Sequence, residues 1–213
     1  MKTLVVAATE LEIAASIPTF IETKTDYLVT GVGMVATAFS LGQYLQGKSY
    51  DLLINVGIAG TFNPYHKLGA MLKIKTDQVF EFGAENDQDF IPIDSLGFGQ
   101  SIFVESLPEQ ALPAEFYEIP YVDAITVNKS HGSENSIDRI KKEHGLNILE
   151  SMEGAAFFFA GNKLRIPCVQ VRSISNLVEK RNVENWNIPL ALNELNSWLQ
   201  RFLIALQDQK PLL

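Results

Sequence analysis

Short apolar runs alternate with longer amphipathic stretches along this chain of 213 residues. The runs 3–8, 27–30, 51–56, 73–79, 121–127, 147–152 and 167–175 predict strands. The stretches 33–45, 136–144, 153–164 and 184–206 carry helical spacing. Strands joined through helices of ten or more residues imply crossover connections and a mostly parallel sheet. Segment 82–120 differs: Gly, Pro, Asp and Gln cluster around short apolar pieces. It predicts long loops with an extra strand pair, and loops of that length inside a compact domain are commonly substrate lids. No repeat, low-complexity tract or linker interrupts the pattern, which predicts one domain over residues 1–213.

Composition adds a sizeable core, with 46% hydrophobic residues. The balance of 17 Lys+Arg against 25 Asp+Glu gives a net charge of −8. That sign speaks against a nucleic-acid binder. One cysteine, Cys168, forms no internal disulfide, and His66, His131 and His144 show no metal-ligand spacing. The opening apolar run, Leu4 to Ala8, is too short for a signal peptide, and no segment approaches the ~20 apolar residues of a membrane helix. We expect a soluble, cytoplasmic protein.

Residues 27–36 fit strand, G-x-G-x-x-A, helix, the dinucleotide-binding fingerprint. The fingerprint also needs an acid at the end of the next strand, and here Asp51 stands at its start. A tight turn at Gly31 and Gly33, beneath a ligand or another backbone, explains the glycines equally simply. Two acids sit at strand-to-helix junctions. Glu12 has the T-x-x-E spacing of a capping box from Thr9, and Glu153 suits a helix N-terminus. Both also fall at strand C-terminal ends, where open α/β sheets bind ligands. Arg172 and Asn176 close the last strand in the same way, and a buried Arg is costly unless a carboxylate pairs with it. Two carboxylates, an Arg and an amide therefore converge on one sheet edge.

Ala7-Ala8-Thr9-Glu10-Leu11-Glu12, Asn55-x-Gly57-x-Ala59-Gly60, Met152-Glu153-x-Ala155-Ala156 and Arg172-x-Ile174-Ser175 resemble the purine nucleoside phosphorylase and nucleosidase superfamily over residues 1–205. Two further stretches, 126–132 and Arg181-x-x-Glu184-Asn185-Trp186-Asn187-Ile188-Pro189, resemble its futalosine-cleaving branch, which serves menaquinone biosynthesis. The resemblance implies a three-layer α/β/α domain around a mixed, partly closed sheet. It implies a homo-oligomer acting on a small-molecule nucleoside, with no cofactor or metal. By position, Glu12 and Arg172 would handle the attacking water. Glu153 and Met152 would hold the ribose, Gly57 and Ile58 would line the site, and His131 would stack on or hydrogen-bond the purine, or be an ordinary histidine.

Two departures narrow the substrate. Adenine nucleosidases carry an Asp where this chain has Asn176. An amide has two N–H donors for N7 and O6 and no proton to give, which favours a 6-oxopurine such as hypoxanthine. Ile58 replaces a hydroxyl residue near the water. The first arginine in the chain is Arg139, and the turn after the first strand is acidic, so water is expected to attack rather than phosphate. The competing readings are a nucleosidase for methylthioadenosine, adenosylhomocysteine or aminodeoxyfutalosine, a nucleotide-dependent oxidoreductase, and a non-catalytic nucleoside-binding protein. Trp186 and Phe157 to Phe159 are aromatic enough for a subunit interface, though a Phe run also suits a core.

Overall fold

The computed structural model describes residues 1–208. The chain opens with β1 (Thr3–Ala7), the short helices α1 (Glu10–Ile13) and α2 (Ile17–Thr23), β2 (Asp26–Val29), α3 (Met34–Tyr44), β3 (Leu52–Thr61) and β4 (Met71–Val79). The hairpin β5 (Gly83–Asn86) and β6 (Asp89–Pro92) follows, then α4 (Ile93–Leu96), β7 (Ile102–Val104), α5 (Ala114–Tyr117) and β8 (Tyr121–Thr126). The last part is α6 (Glu134–His144), β9 (Ile148–Ser151), α7 (Gly154–Leu164), β10 (Cys168–Leu177) and α8 (Ile188–Asp208).

Five ladders are parallel (β1–β2, β1–β3, β3–β10, β4–β8, β8–β9), and three are antiparallel (β3–β9, β4–β10, β4–β7). The sheet is thus mixed, as the family resemblance implied, with parallel ladders in the majority, as strand–helix alternation suggested. It closes on itself because β3 pairs with β1 and β10 along its length and with β9 at its end. The ring β3–β10–β4–β8–β9 is complete, and β1 and β2 continue outward from β3.

Helices cover the sheet on both sides. α3 and α7 pack over a core that includes Leu41, Phe157, Phe158 and Leu149. α8 covers another with Leu195, Trp198, Leu199 and Phe202. Phe157 and Phe158 are therefore core residues rather than interface residues, and only Phe159 of that run is exposed.

The expected elements differ from the observed ones chiefly where glycine or proline intervenes. β3 runs five residues past the expected end at Val56, because Gly57 and Gly60 stay in register against Arg172 and Asn176 of β10. α8 begins at Ile188 with Pro189 in its first turn, and residues 183–185 form a separate 3-10 turn. α1 and α2 were not anticipated as helices: four- and seven-residue pieces, separated by a 3-10 turn before Pro18, are too short to show a period. Segment 82–120 does contain the expected strand pair, β5–β6.

Candidate active site

A cavity of about 410 Å³ opens at the C-terminal ends of β1, β3 and β10. Glu12, Ile58, His131, Met152, Glu153 and Asn176 all line it. Gly57 does not. It lies beneath, where a Cβ would stand 2.7 Å from Oε1 of Glu12 and 3.5 Å from a guanidinium nitrogen of Arg172. Its missing side chain is the space those two groups use.

Glu12 is both a cap and a cavity residue. Its Oε2 accepts from the Ala8 N–H (3.1 Å), the Thr9 N–H (3.0 Å) and the Thr9 hydroxyl (3.2 Å). Its Oε1 accepts from the Ile58 N–H at 3.2 Å. Burial pushes its carboxyl above the ordinary range; Arg172 and the Thr9 and Ile58 N–H groups oppose this, and Glu153 adds to it.

Arg172 is buried, but the expected carboxylate pairing is absent. Its guanidinium donates to the Asn55 amide oxygen and, at 3.0 Å, to that of Gln170. Asn55 is itself fixed by donating to the Val6 carbonyl. Amides at bonding distance satisfy the guanidinium, while Glu153, Asp77 and Glu12 favour its charge from further away against the cost of burial. Asp77 escaped sequence reasoning because it sits mid-strand. It lies fully buried below the first turn of α7, accepts from the Thr126 hydroxyl at 2.7 Å, and is pushed up to about 7 by burial.

Glu153 is the N-cap residue of α7 yet makes no side-chain cap to that helix. Its Oε1 accepts from the Gly33 N–H at 2.9 Å. The dinucleotide-like glycine turn thus orients a carboxylate: Gly31 and Gly33 hold φ of +86° and +96°. Asn176 has its amide oxygen on the Ser175 hydroxyl (2.8 Å) and one N–H on the Leu177 carbonyl (3.0 Å). It keeps one free N–H, not two.

Three further groups stand on the wall. Glu150, anticipated only as part of a strand, accepts from the His131 N–H and from its ring Nδ1. Arg181 stacks over Trp186 at 5.1 Å, and both line the cavity. No signal marked Glu150 as a wall residue, since burial against a cavity has no period, whereas Arg181 and Trp186 belong to a stretch that carries the family resemblance. Within the single chain no residue of segment 82–120 lines this cavity.

Arg172 itself does not line the cavity. A closed mixed sheet with carboxylates and an amide at one mouth and a buried arginine behind them has the form of a nucleoside-processing α/β fold. The chain belongs to the phosphorylase superfamily, whose family model matches residues 24–206. It is 27% identical to the futalosine hydrolase of Streptomyces coelicolor over 191 residues, 87% of this chain and 81% of the relative. It is 29% identical to the futalosine hydrolase of Acidothermus cellulolyticus over 175 residues, 80% and 71% of the two chains. Among solved structures, the methylthioadenosine/adenosylhomocysteine nucleosidase of Streptococcus pneumoniae in complex with 8-aminoadenine superposes with a TM-score of 0.78. That match has 19% identity and covers 97% of this chain and 100% of the other. The corresponding Colwellia psychrerythraea enzyme, in complex with adenine, gives 0.76 at 18% identity, covering 97% and 96%. Among the described residues no helix is long and apolar enough to cross a membrane, and no group of three or more His, Cys, Asp or Glu is placed to hold a metal ion.

Proposed function

We propose that the protein hydrolyses the N-glycosidic bond of futalosine, releasing hypoxanthine and dehypoxanthine futalosine in menaquinone biosynthesis. The observation that carries this reading is the pairing of Glu12 and Glu153 at one cavity whose base end offers the Asn176 amide where an acid would select adenine. The futalosine hydrolase relatives support it.

Glu12 takes a proton from the attacking water, whose oxygen bonds to C1′ as the C1′–N9 electron pair leaves with the base. The base then acquires a proton from solvent. Three N–H groups and a hydroxyl point Glu12 before substrate arrives, and its raised affinity for protons suits a general base. Its charge also stabilises the oxocarbenium-like transition state. Arg172 keeps the carboxylate cluster from becoming a bare anionic patch. Glu153 accepts from the ribose 2′- and 3′-hydroxyls, and Met152 packs on the sugar. A phosphate dianion would meet Glu12 and Glu153, so water is the nucleophile. We place the enzyme in the cytoplasm as a homo-oligomer.

Incubation with futalosine, its 6-amino analogue and methylthioadenosine, followed by chromatography for free base, tests the reading. Hypoxanthine release from futalosine without phosphate is expected. Base release only from the 6-amino compounds would establish the adenine-nucleosidase alternative, and a sugar 1-phosphate would overturn hydrolysis.

A further inference from the structure

One row crosses three strands at the cavity floor: Asn176 of β10 pairs with Gly60 of β3, and Gly60 pairs with Glu150 of β9. Directly opposed residues on neighbouring strands face the same side. All three line the cavity. Gly60 carries no side chain, and the Asn176 amide leans over it, its Nδ2 3.2 Å from where a Cβ would stand. The amide and the Glu150 carboxylate therefore flank one gap.

Nothing in water activation or ribose binding uses Glu150. Its carboxylate is buried, and both its oxygens are spent on His131: Oε1 accepts the backbone N–H at 3.0 Å, and Oε2 takes ring Nδ1. Phe80 holds the same ring edge-on, with centroids 5.2 Å apart. A carboxylate only accepts, so Nδ1 must carry the hydrogen. In the neutral ring that leaves Nε2 with a lone pair. Nε2 has no hydrogen-bond partner among the described residues, and His131 is a wall residue of the cavity.

We infer that Glu150 is a specificity-positioning residue: it fixes the His131 tautomer so that Nε2 accepts the N1–H of a 6-oxopurine. The free Asn176 N–H supplies the matching donor for O6 or N7 across the gap. A 6-oxopurine in its lactam form presents N1–H as a donor. A 6-aminopurine presents N1 as a lone pair, which would face the Nε2 lone pair with no hydrogen between them. This selection deepens the purine-nucleoside reading above and rests on it. It adds a second determinant of base choice, independent of Asn176.

The test measures calorimetric binding of hypoxanthine, 1-methylhypoxanthine and adenine, beside futalosine turnover. The proteins are the native chain, Glu150→Gln and His131→Phe. The native protein should prefer hypoxanthine over 1-methylhypoxanthine, which lacks N1–H, and over adenine, each by about tenfold or more. Glu150→Gln lets the ring adopt either tautomer, because a Gln amide can accept from or donate to Nδ1. It should lose most of the preference over 1-methylhypoxanthine and part of that over adenine. His131→Phe should lose all of the first, while the share of the adenine preference that Asn176 supplies remains. Either ratio unchanged in a folded variant would overturn the inference, since a merely structural role would weaken all three bases alike. Equal binding of hypoxanthine and 1-methylhypoxanthine by the native protein would overturn it even if neither variant folds. If the native protein turns over no futalosine but still ranks the bases as stated, the functional reading fails and the edge assignment stands. If it binds no purine at all, both fail.

Discussion

Gly33 donates its backbone N–H to Oε1 of Glu153 at 2.9 Å, across 120 residues of sequence. The turn at 31–33 and the N-terminus of α7 are thereby locked together where Glu153 lines the cavity. Gly33 holds φ +96°, a conformation that side chains resist, although open space surrounds its Cβ position.

Gly33→Ala should therefore act through backbone strain alone. A non-glycine residue in such a region costs about 1–3 kcal/mol. The turn can relieve that strain by dropping the Glu153 contact. The expected result is a raised KM for futalosine with a smaller change in kcat, and a lower Tm. An unchanged KM would detach Gly33 from ribose binding.

Glu12→Gln should leave nucleoside binding nearly intact and reduce kcat by ~10²- to 10⁴-fold, the usual span for general-base help. A loss below tenfold would move the base elsewhere. The pH profile gives a second check. Burial raises the Glu12 carboxyl above its ordinary value, so the base is lost to protonation earlier as pH falls. The acid limb of kcat should therefore lie above the ordinary Glu range in the native protein and be absent from whatever activity the Gln variant retains.

Asp77 should make the fold less stable as pH rises. Its carboxyl is pushed from 3.8 up to about 7 in the folded chain. A raised acid favours the folded state while protonated, so its contribution is complete below the unfolded value and is lost as pH climbs to about 7. The loss is on the order of 2–4 kcal/mol. Asp77→Asn removes the titration while keeping one acceptor oxygen for the Thr126 hydroxyl. Denaturant unfolding between pH 4 and pH 8 should show a stability drop in the native protein that the variant largely lacks. Parallel curves would mean that Asp77 stays ionised throughout.

These groups differ in how plainly the sequence announced them. Glu12 and Glu153 stand just past strand ends, where the change from period 2 to helical spacing marks the junction, so their convergence was readable. Asn176 lies near the end of β10, whereas Arg172 sits mid-strand, buried behind the cavity. The partner of Arg172 was not: Asn55 and Gln170 serve by register, and a strand pattern says which residues face inward but not which neighbour they meet. Gly33 was read only as a turn, because its contact with Glu153 depends on packing between distant elements. Glu150 and Asp77 are acids inside strands whose pattern alone would call for apolar residues. That marks each as needing a partner but does not say which, since His131 and Thr126 meet them only through packing.

Asn176→Asp should move base preference from hypoxanthine towards adenine. Asn176 now gives its oxygen to the Ser175 hydroxyl and one N–H to the Leu177 carbonyl 3.0 Å away. In the Asp variant the Ser175 contact survives, but the second oxygen faces that carbonyl with no hydrogen between them. The clash favours the protonated acid, whose O–H can satisfy Leu177 or turn to N7 of a bound base. Turned to N7, it supplies the leaving-group proton that the amide lacks. When ionised, the same group accepts from a 6-amino group and repels O6. An unpaired buried polar group costs ~1–3 kcal/mol, so the ratio of kcat/KM for futalosine to that for its 6-amino analogue should fall roughly ten- to a hundredfold. Because the Glu150–His131 pair still faces N1–H, the ratio should not invert completely. An unchanged ratio would mean that Asn176 does not meet the base, leaving selection to the opposite side of Gly60.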